Sequence, residues 1–587
     1  MKSGKERGKM IVAVYTVALN EEKFVKRWYE SAKDADYLLI ADTGSTDRTV
    51  ELAEKLGINV IKISIKPWRF DDARNAALAA LPDDVDYCIS LDMDELLAPG
   101  WRKELEKAYK NKLTRPRYRY IWNFNEDGTP GIEFGGDHIH LRHNYRWKTP
   151  VHEILVSDRM GETVGWIDLE IHHKADASKS RSQYLPLLKL SVDEDPYNDR
   201  NAFYYARELF FHNMYAEAAV EFERHLSLPS ARWGAERAAS YRYLAKCEPK
   251  NAEQHLKSAI NEDPNRREAK VELAKFYYEQ GNWPPCYEQA VAALNIKEKP
   301  MDYLCEDFAW QWLPYDLACI SLWWVGRKEE ALENELEALR HNPNDKRMMD
   351  NFKLMVREVH NKKITAVIPS KSNFDGALKV IESLKSDSQV QEIVLVADGE
   401  ISYKKYKKLL VKSGVTLTHV PEGSGIQVMW NVGIEIARKN KTALFLVNDD
   451  LDLDQDTAGT LSSLLEYNKN ISLISAGYDA KPFKNPVYKV VSNARGVYRQ
   501  DDGLAGCCMA LSSELVEVYN FDERLTWWFG DDDIVNWCED NAHGVAVTNL
   551  VEYQNNTSYT TKNNPPANFE SITKNDQKIF EEKWKIK

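Results

Sequence analysis

An α/β domain with a mostly parallel, Rossmann-like sheet at each end, and an all-α domain between them, is the fold class that the sequence predicts. Three observations predict it. Short apolar runs alternate with helical stretches over residues 1–195, the same alternation resumes over 361–587, and residues 196–360 hold no strand-like run but repeat small and aromatic residues every 34 positions. A chain of 587 residues, at about 150 residues per domain, fits three such units.

In the first block "MIVAVYTVAL", "YLLIAD", "NVIKISI" and "DYCISLD" are strand-like, and "EEKFVKRWYESAK", "DRTVELAEKLG" and "DDARNAALAALP" are the helices between them. Sheets of this kind bind ligands beyond the carboxyl ends of their strands, where "ADTGSTD" and "LDMDE" fall. In the middle block the tight helix-contact positions Ala218, Ala252 and Cys286 are 34 residues apart, and a fourth unit with Ala331, Ala338 and Pro343 follows after an insertion placed around Lys297 to Trp312. This period resembles that of tetratricopeptide repeats. In the third block "ITAVIPS", "EIVLVAD", "TLTHV" and "TALFLVNDDLDL" follow the order of the first.

Composition bounds the function. Lys plus Arg is 78 against 91 for Asp plus Glu, a net charge of −13 that disfavours a polyanion as main partner. The eight cysteines form no C-x-x-C pair, so neither a disulfide framework nor a zinc site is expected, and a reducing cytoplasm fits. The run Met10 to Leu19 leads into Asn20-Glu21-Glu22 rather than a small-residue cleavage site, and no apolar run approaches the ~20 residues of a membrane span, so a cytoplasmic protein without a transmembrane segment is expected.

Acid-x-acid patterns are common in a chain this acidic, and most lie on solvated faces. Asp92-Met93-Asp94 differs in following a buried strand, so that its carboxylates emerge at the edge where ligands bind. Two hard oxygen ligands there suit Mg²⁺ or Mn²⁺ holding a pyrophosphate.

"TVALNEEKFVKRWYESAKDADYLLIADTGSTDRT", "FDDARNAALAAL" and "LDMDELLAPG" together resemble the family 2 glycosyltransferases of the GT-A fold. The resemblance implies an inverting transfer from a nucleotide-sugar, a UDP-sugar first, to a protein or glycan acceptor. It implies that Glu21 and Asp42 contact the ribose and base, that Arg74 and Asn75 line the donor site, that Asp92 touches the ribose and that Asp94 binds the metal. Trp147 followed by Val151, His152 and Glu153 is similar to a further family segment, and Glu153 is the candidate base for the acceptor hydroxyl. In "DLEIHHKADASKSR" the expected histidine ligand is His173, with His172 as the alternative.

The third block resembles the same family with departures. Asp398, Asn431, Asp449 and Asp450 stand at the matching positions, the first three on the donor and Asp450 on the metal. After "WWFG", Asp532 is the candidate base and Asp531 its neighbour. Three adjacent aspartates repel if buried together. Where the family places a late metal-binding histidine, "VEYQNNTSYTT" has none, which puts a metal in this block in doubt. Two GT-A-like domains suggest two sequential transfers. The rival readings are a repeat-based binding protein flanked by degenerate transferase domains, and a transferase acting on modified DNA. The basic, aromatic stretches 115–122, 142–148 and 404–412 have the cations and rings that hold a nucleic acid, but the preferred reading is two strand faces and a solvated helix.

Overall fold

The computed structural model describes residues 10–125, 128–158, 161–174, 184–477, 487–491, 504–551, 553–555 and 568–585. The chain divides into two compact units, Met1–Trp310 and Gln311–Lys587.

The first unit opens with β1 (Val12–Ala18), α1 (Glu22–Ala32), β2 (Tyr37–Asp42), α2 (Thr49–Lys55), β3 (Asn59–Lys62), α3 (Phe70–Ala79) and β4 (Tyr87–Ser90). β5 (Glu95–Leu97), α4 (Trp101–Lys110), β6 (Arg115–Ile121), β7 (Glu133–Gly136), β8 (Ile139–Leu141), β9 (Tyr145–Lys148), β10 (Ile154–Ser157) and β11 (Val164–His173) follow. The main sheet runs β3-β2-β1-β4-β8, parallel except for β8, and a second sheet runs β5-β11-β6-β7. β1 reads as one apolar run because both of its faces are covered. Val12 and Val14 face a core with Trp28, Ile40 and Tyr87, while Ala13 and Tyr15 face another with Ala77, Cys88 and Trp147. The spacing of Phe24, Val25, Trp28 and Ala32 puts one face of α1 on the first of these cores, and the Trp28 indole donates to the Leu91 carbonyl at 3.0 Å. That bond ties α1 to the segment carrying Asp92. The stretches 115–122 and 142–148 fall largely on β6 and β9, the expected strand faces.

The unit continues as helices α5 (Tyr184–Glu194), α6 (Asp199–Phe211), α7 (Tyr215–Ser227), α8 (Gly234–Cys247), α9 (Ala252–Glu262), α10 (Glu268–Glu279) and α11 (Trp283–Leu294). Ala218, Ala252 and Cys286 are all buried, as their 34-residue spacing requires of helix contacts. Regular α-helix stops at Leu294 and resumes at Leu313, across the inserted stretch. The boundary between the two compact units falls inside it, so the helices of the middle block are shared between them.

The second unit begins with α12 (Leu313–Trp324), α13 (Lys328–His341) and α14 (Lys346–Val359). Its α/β part comprises β12 (Ile364–Ser370), α15 (Phe374–Ser386), β13 (Val390–Asp398), α16 (Glu400–Leu409), β14 (Thr416–Val420), α17 (Ile426–Asn440), β15 (Ala443–Val447), β16 (Leu451–Leu453) and α18 (Thr457–Tyr467). Then come β17 (Ile471–Gly477), β18 (Tyr488–Val490), β19 (Leu504–Leu511), α19 (Ser513–Val518), α20 (Gly530–Asp540), β20 (Gly544–Thr548), β21 (Tyr553–Asn555) and a last helix, Phe569–Trp584. Eight strands form one sheet in the order β14-β13-β12-β15-β19-β17-β20-β18, and β16 pairs with β21. The first four strands of that order repeat β3-β2-β1-β4 of the first unit. Among the described residues no helix is long and apolar enough to cross a membrane.

Candidate functional site

Asp42 ends β2 and accepts the backbone N–H groups of Gly44 and Ser45 at 3.1 Å, with Gly44 at φ +112°, where a side chain is strained. The neighbouring loop is tied to it: the Asn20 side chain accepts from the Thr46 N–H at 2.8 Å, and the Glu21 N–H donates to Thr49 Oγ1 at 2.7 Å. These bonds hold the turn after Asp42 against the loop that carries Glu21, at the carboxyl edge of the sheet.

Arg74 is the hub of the site. Projecting from α3 and 8% exposed, its guanidinium reaches Ser90 Oγ at 2.8 Å, Asp92 at 2.8 and 3.0 Å and Glu153 at 3.2 Å, and it lies 5.2 Å from the centre of the Trp147 ring. Burial alone would raise the Asp92 carboxyl, but Arg74 outweighs it and holds the group below its ordinary value. Glu153 goes the other way, because burial dominates and lifts its carboxyl above the usual range despite the same arginine. Both ends of the Asn75 amide are spent on the Trp147 backbone, donating at 2.9 Å and accepting at 2.9 Å, so Asn75 fixes the β9 strand that leads to Glu153. The turn that follows holds Thr149 and His152 at positive φ, and the His152 ring stacks on Tyr204 of α6 at 4.2 Å.

The two histidines part company through strand alternation. His173 pairs in register with Glu95, and its Nε2 is 3.7 Å from Asp94 Oδ2 while Nδ1 donates to the Trp122 carbonyl at 3.1 Å. A carbonyl on the far nitrogen is how a metal-binding imidazole is oriented. His172, on the opposite face, pairs with Glu170 at 2.9 Å and has no contact with Asp94. Asp94 and His173 therefore fit a divalent cation as a two-residue protein share. Among the described residues no group of three or more candidate ligands converges, so a bound ion would draw its other ligands from a diphosphate and water.

Glu95 and His138 were not singled out from the sequence. Glu95, 4% exposed, accepts the Asp92 N–H at 2.8 Å and the Tyr120 hydroxyl at 2.6 Å; burial, with Asp92 adding to it, pushes its carboxyl up to about 7. It props the Asp92–Asp94 turn from behind. His138 packs edge-on to Trp147 at 5.1 Å, and burial lowers its pKa. The signal for Glu95 was its place directly after Asp94; nothing local marks His138.

In the second unit Asp398 accepts the Gly423 N–H at 2.7 Å and lies 3.5 Å from Lys371, and both ends of the Asn431 amide meet the Phe521 backbone, as Asn75 meets Trp147. Asp449 points inward to Ser370, and burial pushes it up to about 7. Trp430 stands where the first unit has Arg74. Of "VEYQNNTSYTT", where a late histidine would stand, Glu552 and residues 556–561 lie outside the described residues.

The three consecutive aspartates of α20 separate. Asp533 is fully buried and structural, accepting from Tyr519 at 2.9 Å, Trp584 at 2.9 Å and Lys583 at 2.7 Å. Asp531 turns toward Gly506, where a Cβ would lie 2.6 Å from its carboxylate, and Asp532 remains partly exposed on the helix.

The sequence profile described as "Glycosyl transferase family 2" matches residues 13–152. An uncharacterized glycosyltransferase of Rickettsia conorii is 32% identical over 99 residues, 17% of this chain and 34% of the relative. One of Rickettsia bellii is 28% identical over 102 residues, 17% and 33% of the two chains. The chain thus spans about a third of the length of the curated relatives it matches. Among solved structures, glucosyl-3-phosphoglycerate synthase from Mycobacterium tuberculosis, in complex with Mn²⁺, UDP-glucose and phosphoglyceric acid, is 23% identical over 19% of this chain and 44% of its own, with a TM-score of 0.17. MamA is 17% identical over 27% of this chain and 88% of its own, with a TM-score of 0.23. Residues 13–152 form a glycosyl transferase family 2 domain.

Proposed function

We propose that the chain is a metal-dependent, inverting glycosyltransferase that moves a sugar from a nucleotide-sugar, a UDP-sugar first, to a hydroxyl of a protein or glycan acceptor. The observation that carries this reading is Arg74 joining Asp92 to Glu153 beside the Asp94–His173 pair, at the sheet edge where Asp42 and Glu21 also lie.

Asp42, Glu21 and Asp92 hold the nucleoside, and Asp94 with His173 would hold Mn²⁺ or Mg²⁺. Such an ion supplies Lewis-acid stabilisation of the departing diphosphate. Glu153, raised by burial and oriented by Arg74, takes the proton of the acceptor hydroxyl. That oxygen attacks the anomeric carbon from the side opposite the diphosphate, the carbon–oxygen bond to the diphosphate breaks, and its electron pair leaves with the diphosphate.

We place the transfer in the first domain. The second, read as a GT-A-like domain, puts neutral Trp430 at the station of Arg74, next to the matching amides Asn431 and Asn75, which favours a role other than a second metal-dependent transfer. A second transfer would have to use Asp450, Asp531 and Asp532.

The test is turnover of a panel of nucleotide-sugars with Mn²⁺ by the full chain and by Asp92→Ala/Asp94→Ala. Metal-dependent release of nucleoside diphosphate that the double variant lacks supports the reading. Equal release by both, or none from any donor, favours the repeat-based binding protein. DNA binding that weakens steeply with salt would favour the modified-DNA acceptor.

A further inference from the structure

The helix that follows the first α/β domain carries two arginines, Arg200 and Arg207, that this mechanism does not use. Both lie against Tyr204, with guanidinium carbons 4.8 and 4.7 Å from its ring centre, and Arg207 is also 5.9 Å from Tyr303. Tyr204 and Tyr303 are stacked at 5.7 Å, and the half-exposed Trp233 ring lies 5.7 Å from Tyr303. Among the described residues neither arginine has a carboxylate within ion-pair distance, and Arg200 Nε is buried without a hydrogen-bond partner. The acids nearest in charge are otherwise engaged: Glu236 accepts the Tyr303 hydroxyl, and Asp137 pairs with Arg117 at 3.4 Å. Asp199 also bears on Glu236 from the start of α6.

The cluster adjoins the catalytic loop. His152, the residue before Glu153, stacks on Tyr204, and Asp137, the residue before His138, is within electrostatic reach of Arg200. An unpartnered pair of planar cations over aromatic rings suits an anionic oxygen group joined to a sugar-sized apolar face, since guanidinium forks match phosphate or carboxylate and rings stack on sugar faces. We propose that Arg200 and Arg207, with Tyr204 and Tyr303, form an acceptor subsite that selects an acceptor bearing a phosphate or carboxylate group. Its role as an acceptor subsite rests on the transfer reading above; its affinity for the anion does not.

The experiment is titration calorimetry of the full chain with glucose 1-phosphate, glucose and inorganic phosphate, on the wild type and on Arg200→Gln/Arg207→Gln. The wild type should bind glucose 1-phosphate at least tenfold more tightly than glucose, and the double variant should lose at least tenfold while UDP with Mn²⁺ binds both alike. No binding of glucose 1-phosphate at 10 mM, equal affinity for glucose, an unaltered double variant, or a parallel loss of UDP binding overturns the proposal. If the double variant does not fold, each single variant should weaken glucose 1-phosphate at least threefold, and unchanged affinity in both overturns it. Failure of UDP to bind the wild type would sink the transfer reading and leave the anion result standing.

Discussion

Replacing Arg74 by Met should destabilise the first unit strongly, because it strands two carboxylates. The substitution keeps the bulk of the side chain over Trp147 but removes the cation from Asp92 and Glu153 and the donor from Ser90. Removing one partner of a buried ion pair costs about 3–5 kcal/mol. Here the lower end applies, since the Asp92 side chain is 40% exposed and water screens that half of the interaction, whereas Glu153 is only 11% exposed. At a urea dependence of about 2–3 kcal/mol per molar, a loss of about 3 kcal/mol moves the unfolding midpoint down by about 1 M. The assay is urea unfolding of the full chain by near-ultraviolet circular dichroism, reading the transition that the substitution shifts. Arg74 holds Asp92 below its ordinary value, so that contribution is present at neutral pH and is lost as the pH falls through the lowered value. The gap between wild type and variant should therefore narrow in acid. An unshifted midpoint at pH 7.5, or a gap that widens as the pH falls, would show that Arg74 does not neutralise these two carboxylates.

Glu153→Gln should lower kcat by about 10²–10⁴-fold with little change in donor binding, measured by steady-state transfer once a donor is known. The wild-type rate should fall on the acid side with an apparent pKa above that of an ordinary glutamate, because burial raises Glu153 and only its ionised form accepts the proton; the variant should lack that limb. In the second unit Glu335 is fully buried beside Asp316 and is pushed up from 4.5 to about 7, chiefly by burial. The folded state then holds a proton that the unfolded state releases, so stability falls as the pH rises from about 4.5 to about 7. Glu335→Gln should stabilise this unit by up to about 3 kcal/mol at pH 8 and change little at pH 4, read from urea midpoints at the two pH values.

The features that proved legible from sequence share a local cause. Strands covered on both faces must be apolar throughout, so β1, β2 and β4 stand out, and the 34-residue spacing of Ala218, Ala252 and Cys286 marks positions where helices touch. Asp42 ends one such strand, and Asp92 and Asp94 come just after another. What was not legible depends on contacts far apart in the chain. Whether His172 or His173 faces Asp94 is set by the register of β11 on β5. His138 belongs to the site only because the antiparallel β8 pairs with β4. The role of Asp533 could not be read from its neighbours, since its partners Lys583 and Trp584 arrive fifty residues later.

In the function proposed above, the first domain, through Asp94 and His173, holds the metal and the nucleoside diphosphate, and the second does not. Titration calorimetry of UDP into the full chain with Mn²⁺ tests it most directly, on wild type, Asp94→Asn and Asp450→Asn. One UDP per chain is expected for the wild type, with at least a tenfold loss for Asp94→Asn and unchanged binding for Asp450→Asn. Two UDP per chain, or a loss confined to Asp450→Asn, would contradict it.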